Sequence, residues 1–131
     1  MHKSIEFKND HKVIERELIE LETIINTPIV NYPNLIHVLK KLNEFWNSHE
    51  EREEEYFSEL HAKGFTIPIK KITFEHLRLK RHRDALIRAL ESGSEFKTKE
   101  ALKKDGLELI KKIRQHMKDE DWILYALPEH L

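Results

Sequence analysis

Apolar side chains recur every three or four residues along most of this chain, which is the spacing of one face of an α-helix. Four such stripes can be traced. They run from Phe7 to Ile25, from Leu35 to Leu60, from Ile69 to Leu90 and from Leu102 to Leu127. No stretch alternates with period two for long enough to indicate a strand. The pattern predicts four helices of roughly 22 to 30 residues.

Turn-forming residues separate the four stripes. Pro28 and Pro33 lie between the first two, Gly64 between the second and third, and Gly93 between the third and fourth. Amphipathic helices with short connections pack as antiparallel neighbours. We therefore expect an all-α, up-down-up-down antiparallel four-helix bundle. A chain of 131 residues suits one domain, spanning 1–131.

Six polar side chains occupy stripe positions that ought to be apolar. They are His11, His49, Glu53, His76, His116 and Glu120. Burying one unpaired polar group costs about 1–3 kcal/mol, and a lone carboxylate costs more. Six such groups would be intolerable in a marginally stable domain unless something pairs them. A metal centre would do so.

Spacing alone is weak evidence for such a centre, because a histidine on a helix stripe is more often a satisfied core residue and His-x-x-x-Glu also arises by chance. Height along the bundle is stronger evidence. Counted from the predicted turns, at about 1.5 Å per residue, the six residues lie level within roughly one helical turn. In an antiparallel bundle they would meet in one layer, and we interpret that layer as a metal site.

The donor set narrows the choice of metal. Imidazole and carboxylate without thiolate suit iron, manganese or zinc, and six ligands are too many for one tetrahedral zinc. Two ions bridged by both carboxylates and by an oxo or hydroxo group fit better, and leave room for water, dioxygen or peroxide. A ferritin-like site is excluded because it requires Glu-x-x-His pairs, and no histidine here has an acidic residue three positions before it.

The ordered set of motifs resembles the hemerythrin-like (HHE cation-binding) family over the whole chain. It consists of His11, His49-Glu50-Glu51-Arg52-Glu53, Glu75-His76 and His116-Met117-Lys118-Asp119-Glu120. The resemblance implies a four-helix bundle with a non-haem di-iron centre that binds oxygen. The activities it implies are oxygen carriage, oxygen or iron sensing, and iron storage or handling.

Two departures from the family's oxygen carriers bear on function. Those proteins place a second histidine one turn after the third-helix histidine, where this chain has Lys80. They also use an aspartate five residues after the last histidine, here Asp121. Helix phase favours Glu120 as the ligand and leaves Asp121 as a substitute or an orienting partner. His82 lies on another face from His76, and we expect it at the surface.

The missing histidine disfavours reversible carriage. It favours a site that responds to dioxygen, peroxide or nitric oxide, or an iron sensor whose fold depends on metal. Weak peroxide-decomposing or oxidase-like activity is left open. Otherwise no nucleotide loop, serine elbow or thiolate motif indicates a conventional enzyme.

Several other residues carry secondary expectations. His2, His37, His61 and His130 are expected to be solvated. Glu15, one turn from His11, is either an acceptor that orients its ring or a surface residue. Six aromatic residues flank the layer and are expected in the core: Phe45, Trp46, Tyr56, Phe57, Trp122 and Tyr125.

Charge and composition exclude several partners. With 23 basic and 24 acidic side chains the net charge is -1, so no positive field attracts nucleic acid. No apolar run is long enough to span a membrane and no signal region is visible, so we expect a cytoplasmic protein. A protein partner or a homodimer is left open. The competing hypothesis is a helical interaction or regulatory module that holds mononuclear zinc or manganese, or no metal.

Overall fold

The computed structural model describes the backbone of residues 2–127 and the side chains of residues 5–127. This range is helical, with no strand among the described residues. The helices are α1 (His2–Ile25), α2 (Tyr32–Ala62), α3 (Ile69–Glu91), α4 (Glu95–Ala101) and α5 (Leu107–Ala126), with a π-helical segment (Leu102–Gly106) joining α4 to α5. Because α4, the π segment and α5 are continuous, they act as one rod. The predicted all-α four-helix bundle is confirmed.

The helix ends lie close to the predicted turns. The Asn31 side chain accepts a hydrogen bond from the Asn34 backbone amide at 3.2 Å and caps α2, and Ser94 caps α4 in the same way. Gly64 and Gly93 follow α2 and α3 with φ of 98° and 72°. Residues that carry a Cβ rarely adopt this left-handed backbone conformation, so glycine is favoured at both positions.

Each rod of the bundle packs against two neighbours. Helix α1 contacts α2 and α5, and α3 contacts α2 and the rod formed by α4, the π segment and α5. The short connections between successive rods make these neighbours antiparallel. Among the residues that the structure describes, none of the helices combines the length and apolar character that a membrane span requires.

A layer of polar side chains divides the hydrophobic core into two parts. The larger cluster, from Ile14 and Trp46 to Leu102 and Met117, fills one end of the bundle. The smaller cluster consists of Phe7, Phe57, Leu60, Ile67, Ile72 and Leu124. On α2, His49 and Glu53 lie between Trp46 of the first cluster and Phe57 of the second. The layer is therefore flanked by apolar packing on both sides.

The π-helical segment is a feature that the hydrophobic pattern did not predict. Its last residue, Gly106, faces α1 so closely that an added Cβ would lie 3.0 Å from Ile25 Cδ1. Its Asp105 Oδ1 lies 3.1 Å from His82 Nδ1 on α3. His82 is thus partly exposed on another face from His76, and Asp105 is its partner.

Two further histidines of the described side chains, His37 and His61, lie outside the layer. His37 and His61 are exposed, in agreement with the sequence analysis. The side chain of His2 and all of His130 lie outside the described residues.

Candidate metal centre

All six predicted site residues meet in the polar layer, and all six are buried. His49 and Glu53 are completely shielded from solvent, and the most accessible of the six, His11, is only 9 % exposed. The six divide into two groups of three whose potential ligand atoms lie within 4.8 Å of one another. One group is His11, His49 and Glu120, and the other is Glu53, His76 and His116.

The first group joins α1, α2 and α5. His11 Nε2 lies 3.1 Å from Glu120 Oε1, and His49 Nε2 lies 3.2 Å from Glu120 Oε2. The two imidazole rings stand edge to face with their centroids 5.0 Å apart. Two ring nitrogens and a carboxylate thus converge from three helices.

The second group joins α2, α3 and α5. His116 Nε2 lies 2.8 Å from Glu53 Oε1, and His76 Nε2 lies 3.4 Å from the same oxygen. The centroids of the two rings are again 5.0 Å apart. The second group therefore repeats the composition of the first, with two imidazoles around one carboxylate.

Each carboxylate also reaches the other group. Glu53 Oε2 lies 3.3 Å from His49 Nε2, and Glu120 Oε2 lies 3.8 Å from His116 Nε2. Glu53 and Glu120 thus lie between the two groups, where a carboxylate that bridges two cations has to lie.

The outer nitrogen of each imidazole faces a second carboxylate on a neighbouring helix. The pairs are His49 with Asp10, His76 with Glu54, His116 with Glu75, and His11 with Asp121. The four pairs link α1 to α2, α2 to α3, α3 to α5, and α5 back to α1. The hydrogen bonds at His49, His76 and His116 fix those three rings with Nε2 directed inward, as carboxylate partners do for metal-binding histidines.

The individual pairs differ in exposure. His49 Nδ1 donates to Asp10 Oδ2 at 2.9 Å, and Arg52 Nη2 lies 2.6 Å from the same oxygen. His76 Nδ1 donates to Glu54 Oε1 at 2.8 Å, although the Glu54 side chain is half exposed. Burial is greatest around His49, so its ring is the most firmly held.

The sequence analysis missed Asp10, Glu54 and Glu75 as ring partners. A signal was present, because each lies next to a site residue in the chain. On a helix, consecutive residues point about 100° apart, so such a neighbour is directed toward an adjacent helix.

Asp121 and Glu15 were the two residues whose roles stayed open. Asp121 Oδ1 lies 3.1 Å from the outer nitrogen of His11 and is half exposed, so Asp121 lies outside the group that contains Glu120. Glu15 is not a partner of His11, because it accepts a hydrogen bond from Arg114 Nε at 2.9 Å. Arg114 also donates to Glu22 and so ties α5 to α1.

Neighbouring carboxylates raise the pKa of His49 and of His116. Burial by itself lowers the pKa of His49, but its hydrogen bonds with Asp10 and Glu120 raise it to about 11. Burial likewise lowers the pKa of His116, but its hydrogen bonds with Glu53 and Glu75 raise that pKa to about 10. Protons on these rings therefore balance the carboxylates, and a bound cation would take the place of those protons.

Burial and hydrogen bonding also act against each other at Glu53. Burial raises the pKa of this carboxyl, but the hydrogen bond with His116 and the nearby imidazoles of His49 and His76 bring it well below its ordinary value. The ionised form, which is the form that binds a metal, is therefore favoured at neutral pH.

Three buried polar atoms of the six layer residues lack a hydrogen-bond partner among the described residues. Glu53 Oε2 and His76 Nε2 face the interior of the layer, and His11 Nδ1 lies on its outer side. An unsatisfied buried acceptor costs about 1–3 kcal/mol. A cation bound between the two groups would satisfy the two inward atoms, so the residues present fit a metal.

Aromatic rings close the layer on both sides. The Trp46 ring lies 5.5 Å from that of His49 and 5.6 Å from that of His116, and the Phe7 ring lies 5.4 Å from that of His49. Phe57 belongs to the same packing. These rings exclude water from the layer along the bundle axis.

Three of the six aromatic residues expected in the core are exposed instead. Trp122 and Tyr125 are 64 % and 83 % exposed, and Phe45 is also on the surface. Phe45 is adjacent to the buried Trp46 and Tyr125 to the buried Leu124, so each points past the edge of the buried face.

A cleft of about 550 Å³ between α2 and α3 runs along the second group. Its lining includes His76, Glu50 and the exposed side chain of Lys80. Burial raises the pKa of Glu50. Of the second group only His76 lines this cleft, and His116 lines a separate pocket beside Glu75.

A model of the hemerythrin HHE cation binding domain matches residues 3–127 of the chain. Comparison with curated proteins finds no significant match, and comparison with solved structures finds none either. The matched range contains all four rods of the bundle and all six residues of the polar layer.

Proposed function

The chain belongs to the hemerythrin HHE cation-binding family, and we propose that it holds two iron ions in the polar layer and binds dioxygen or a related small ligand there. The proposed metal ligands share buried imidazole or carboxylate donors. They are His11, His49, Glu53, His76, His116 and Glu120.

The observation that carries this proposal is the division of the six residues into two equivalent groups with shared carboxylates. A single ion needs one cluster of donors. Here each group has its own pair of imidazoles, and both Glu53 and Glu120 approach histidines of both groups. This arrangement favours two ions over one.

Iron is the metal that the donor set and the family favour together. Nitrogen and oxygen donors also suit zinc and manganese. A zinc site with four ligands would leave part of this layer unused. Iron accepts six ligands, and an iron pair supplies reversible one-electron chemistry and free coordination positions for a small ligand.

The chain's own residues prepare the layer for this role. Asp10, Glu54 and Glu75 hold imidazole rings with Nε2 inward. Trp46 and Phe7 exclude water above and below. A small molecule that enters from the cleft therefore meets a dry layer whose donors are already oriented, which lowers the cost of ordering them on binding.

The exposed Lys80 favours sensing or iron handling over oxygen carriage. A protonated lysine cannot ligate a metal, and the side chain lies in solvent. The second group therefore lacks the extra imidazole that the family's oxygen carriers have. A more accessible cation exchanges its ligands more readily, which suits a response to dioxygen, peroxide or nitric oxide.

The direct test is the metal content of protein purified without oxygen, together with its absorption spectrum before and after exposure to air. We expect about two irons per chain and a near-ultraviolet band that develops in air. Protein that contains no metal, and that stays folded with a chelator present, would overturn the proposal in favour of a helical interaction module.

A further inference from the structure

Helix α3 carries an apolar surface that the described residues leave uncovered. Phe74 is 57 % exposed and Leu77 is 48 % exposed, although both are large apolar side chains. Both line the cleft of about 550 Å³ between α2 and α3. Neighbouring exposed apolar side chains of this kind are typical of a contact site for another molecule.

The charges beside this apolar surface are segregated by helix. Between Lys70 and Arg81 of α3 every exposed charged side chain is basic, and between Asn47 and Glu59 of α2 every one is acidic. The basic set is Lys70, Lys71, Arg78, Lys80 and Arg81, and the acidic set is Glu51, Glu54, Glu55 and Glu59. Within the described range of the chain no ion pair joins one set to the other. Opposite charges thus lie on adjacent helices without pairing inside the molecule.

A contact between the helices shows which side of α2 adjoins α3. Asn47 Oδ1 accepts a hydrogen bond of 2.9 Å from Arg83 Nη1. Glu51 lies one turn after Asn47, on the same side of α2. On α3, Arg81 lies one turn after Leu77, which lines the cleft. Glu51 and Arg81 therefore share one outer surface with Leu77, the α2–α3 face.

The geometry of this face makes it complementary to itself. A two-fold axis parallel to the helices keeps the height of every residue and lays α2 of one copy over α3 of the other. Glu53 and His76 mark a common height, because His76 Nε2 lies 3.4 Å from Glu53 Oε1. Since α2 and α3 are antiparallel, Glu51 lies about 3 Å and Arg81 about 7.5 Å from that height in the same direction. The remaining offset of about 4.5 Å is within reach of an arginine side chain.

The other two-fold arrangement is unfavourable. An axis perpendicular to the helices, in the plane of contact, would lay α2 on α2 and α3 on α3. Acidic side chains would then face acidic ones, and basic side chains would face basic ones. Charge therefore selects the axis that runs parallel to the helices.

We propose that two copies of this chain form a symmetric dimer through the α2–α3 face, in which Glu51 of each copy pairs with Arg81 of the other. Such an isologous interface makes every contact twice. The dimer needs no metal and therefore goes beyond the proposed function. The cleft beside His76 lies at the centre of the interface, so dimerisation limits the entry of small ligands from that side.

The size of the face suits a dimer. Helix α3 has 23 residues, which gives a length of about 35 Å, and two helices side by side are about 20 Å wide. The resulting area of roughly 700 Å² approaches the ~800 Å² that each partner buries in a standard interface.

The first test is sedimentation velocity of the wild-type chain over a range of concentrations. We expect a species of twice the 15.8 kDa chain mass, which becomes less abundant as salt screens the charge pairs. Glu51→Arg and Arg81→Glu should each weaken dimerisation at least about tenfold, because each opposes like charges across the interface twice. Glu20→Arg makes the same charge change on the exposed side of α1 and should leave dimerisation unchanged.

A mixture of the two single variants separates this pairing from a general effect of charge. When a copy of E51R meets a copy of R81E, both contacts across the axis join unlike charges. We therefore expect the mixture to form a heterodimer although each variant alone is mostly monomeric. The double variant E51R/R81E should dimerise as the wild type does. Circular dichroism checks that each variant keeps its helices, and Lys80→Glu replaces R81E if that variant does not fold.

A wild-type chain that stays monomeric at the highest concentration would overturn the dimer and leave a different molecule as the occupant of the face. Dimerisation of E51R equal to that of the wild type would overturn this interface. A mixture without heterodimer would overturn the pairing of α2 with α3 across the axis.

Discussion

His49 Nδ1 donates a hydrogen bond of 2.9 Å to Asp10 Oδ2, and this contact joins a completely buried ring on α2 to a carboxylate on α1. It fixes which nitrogen of His49 faces the polar layer. The carboxylate is itself held by Arg52 at 2.6 Å. The orientation of a proposed ligand thus depends on a residue that touches no cation.

This contact predicts that Asp10→Asn weakens iron binding without removing any ligand. Loss of an outer-shell partner costs about 10–100-fold in metal affinity, and we expect a loss in this range by competition with a chelator. Glu20→Gln on the exposed side of α1 is the matched control and should leave the affinity unchanged. An affinity in D10N equal to that of the wild type would show that His49 does not need its partner.

Replacing a shared carboxylate should have a larger effect. In Glu53→Gln the second group loses the carboxylate nearest to both of its imidazoles, and the first group loses a bridging oxygen. We expect the iron content to fall from two ions per chain to one or fewer, measured by elemental analysis. Glu55→Gln, two residues further along the exposed face of α2, should keep both ions. Two irons in E53Q would argue against a bridge.

The stability of the metal-free protein should decrease as the pH rises. Although burial opposes the charge, the carboxylate partners raise the pKa of His49 to about 11 and of His116 to about 10, from 6.5. A raised pKa stabilises the folded state fully below the unfolded value, and that stability is lost as the pH rises through the folded value. The melting temperature of chelator-treated protein should therefore fall between about pH 7 and pH 10.

Iron-loaded protein should lack this fall, because its imidazoles bind as neutral ligands. Its iron affinity should instead increase over the same range, since binding releases protons from the rings. Thermal unfolding followed by circular dichroism, with and without chelator, measures the melting temperature of both forms of the protein at each pH. A level melting temperature in the chelator-treated samples would mean that these imidazoles are not protonated in the folded protein.

The two tryptophans should respond differently to iron. Trp46 is 2 % exposed and packs against three of the imidazoles, whereas Trp122 is 64 % exposed. An open-shell ion quenches an indole at this range, so iron should quench the emission of Trp122→Phe strongly. Trp46→Phe, which keeps only the exposed indole, should be quenched much less. Equal quenching of both variants would place the iron elsewhere.

Arg114 provides a test of structure apart from metal binding. Its guanidinium is about one-third exposed and joins Glu15 and Glu22 of α1 to α5. Exposed ion pairs contribute up to about 1 kcal/mol each, so Arg114→Gln should lower the free energy of unfolding by about 1 kcal/mol. Iron content should not change. A loss of iron in R114Q would show that the approach of α1 to α5 controls the site.

Much of this architecture follows from short-range regularities in the chain. The positions of Leu35, Leu42 and Leu60 predict the buried face of α2, because 3.6 residues per turn bring them to one side. The inward placement of His49 and Glu53 follows from the same periodicity. Gly64 and Gly93 mark helix ends through backbone sterics that act within a few residues.

The partners of the imidazoles required the tertiary structure. Glu75 contacts His116 across 41 positions of sequence, and Asp121 contacts His11 across 110 positions (121 − 11). Which carboxylate meets which ring depends on the rotation of one helix against its neighbour. A shift of one residue turns a side chain by about 100°, and periodicity alone does not resolve it.

The sequence by itself determined that four amphipathic helices bury six histidine and glutamate side chains at one level, because the spacing of the stripes and the positions of the turns set the face and the height of each residue. Since burying these groups without partners would be too costly, the sequence also indicated that they are paired. Only the tertiary structure decided how these six divide into two groups, that Asp121 lies against the outer nitrogen of His11, and that a π-helical segment interrupts the fourth rod. Those features depend on angles and distances between helices, and many side-chain contacts set them together.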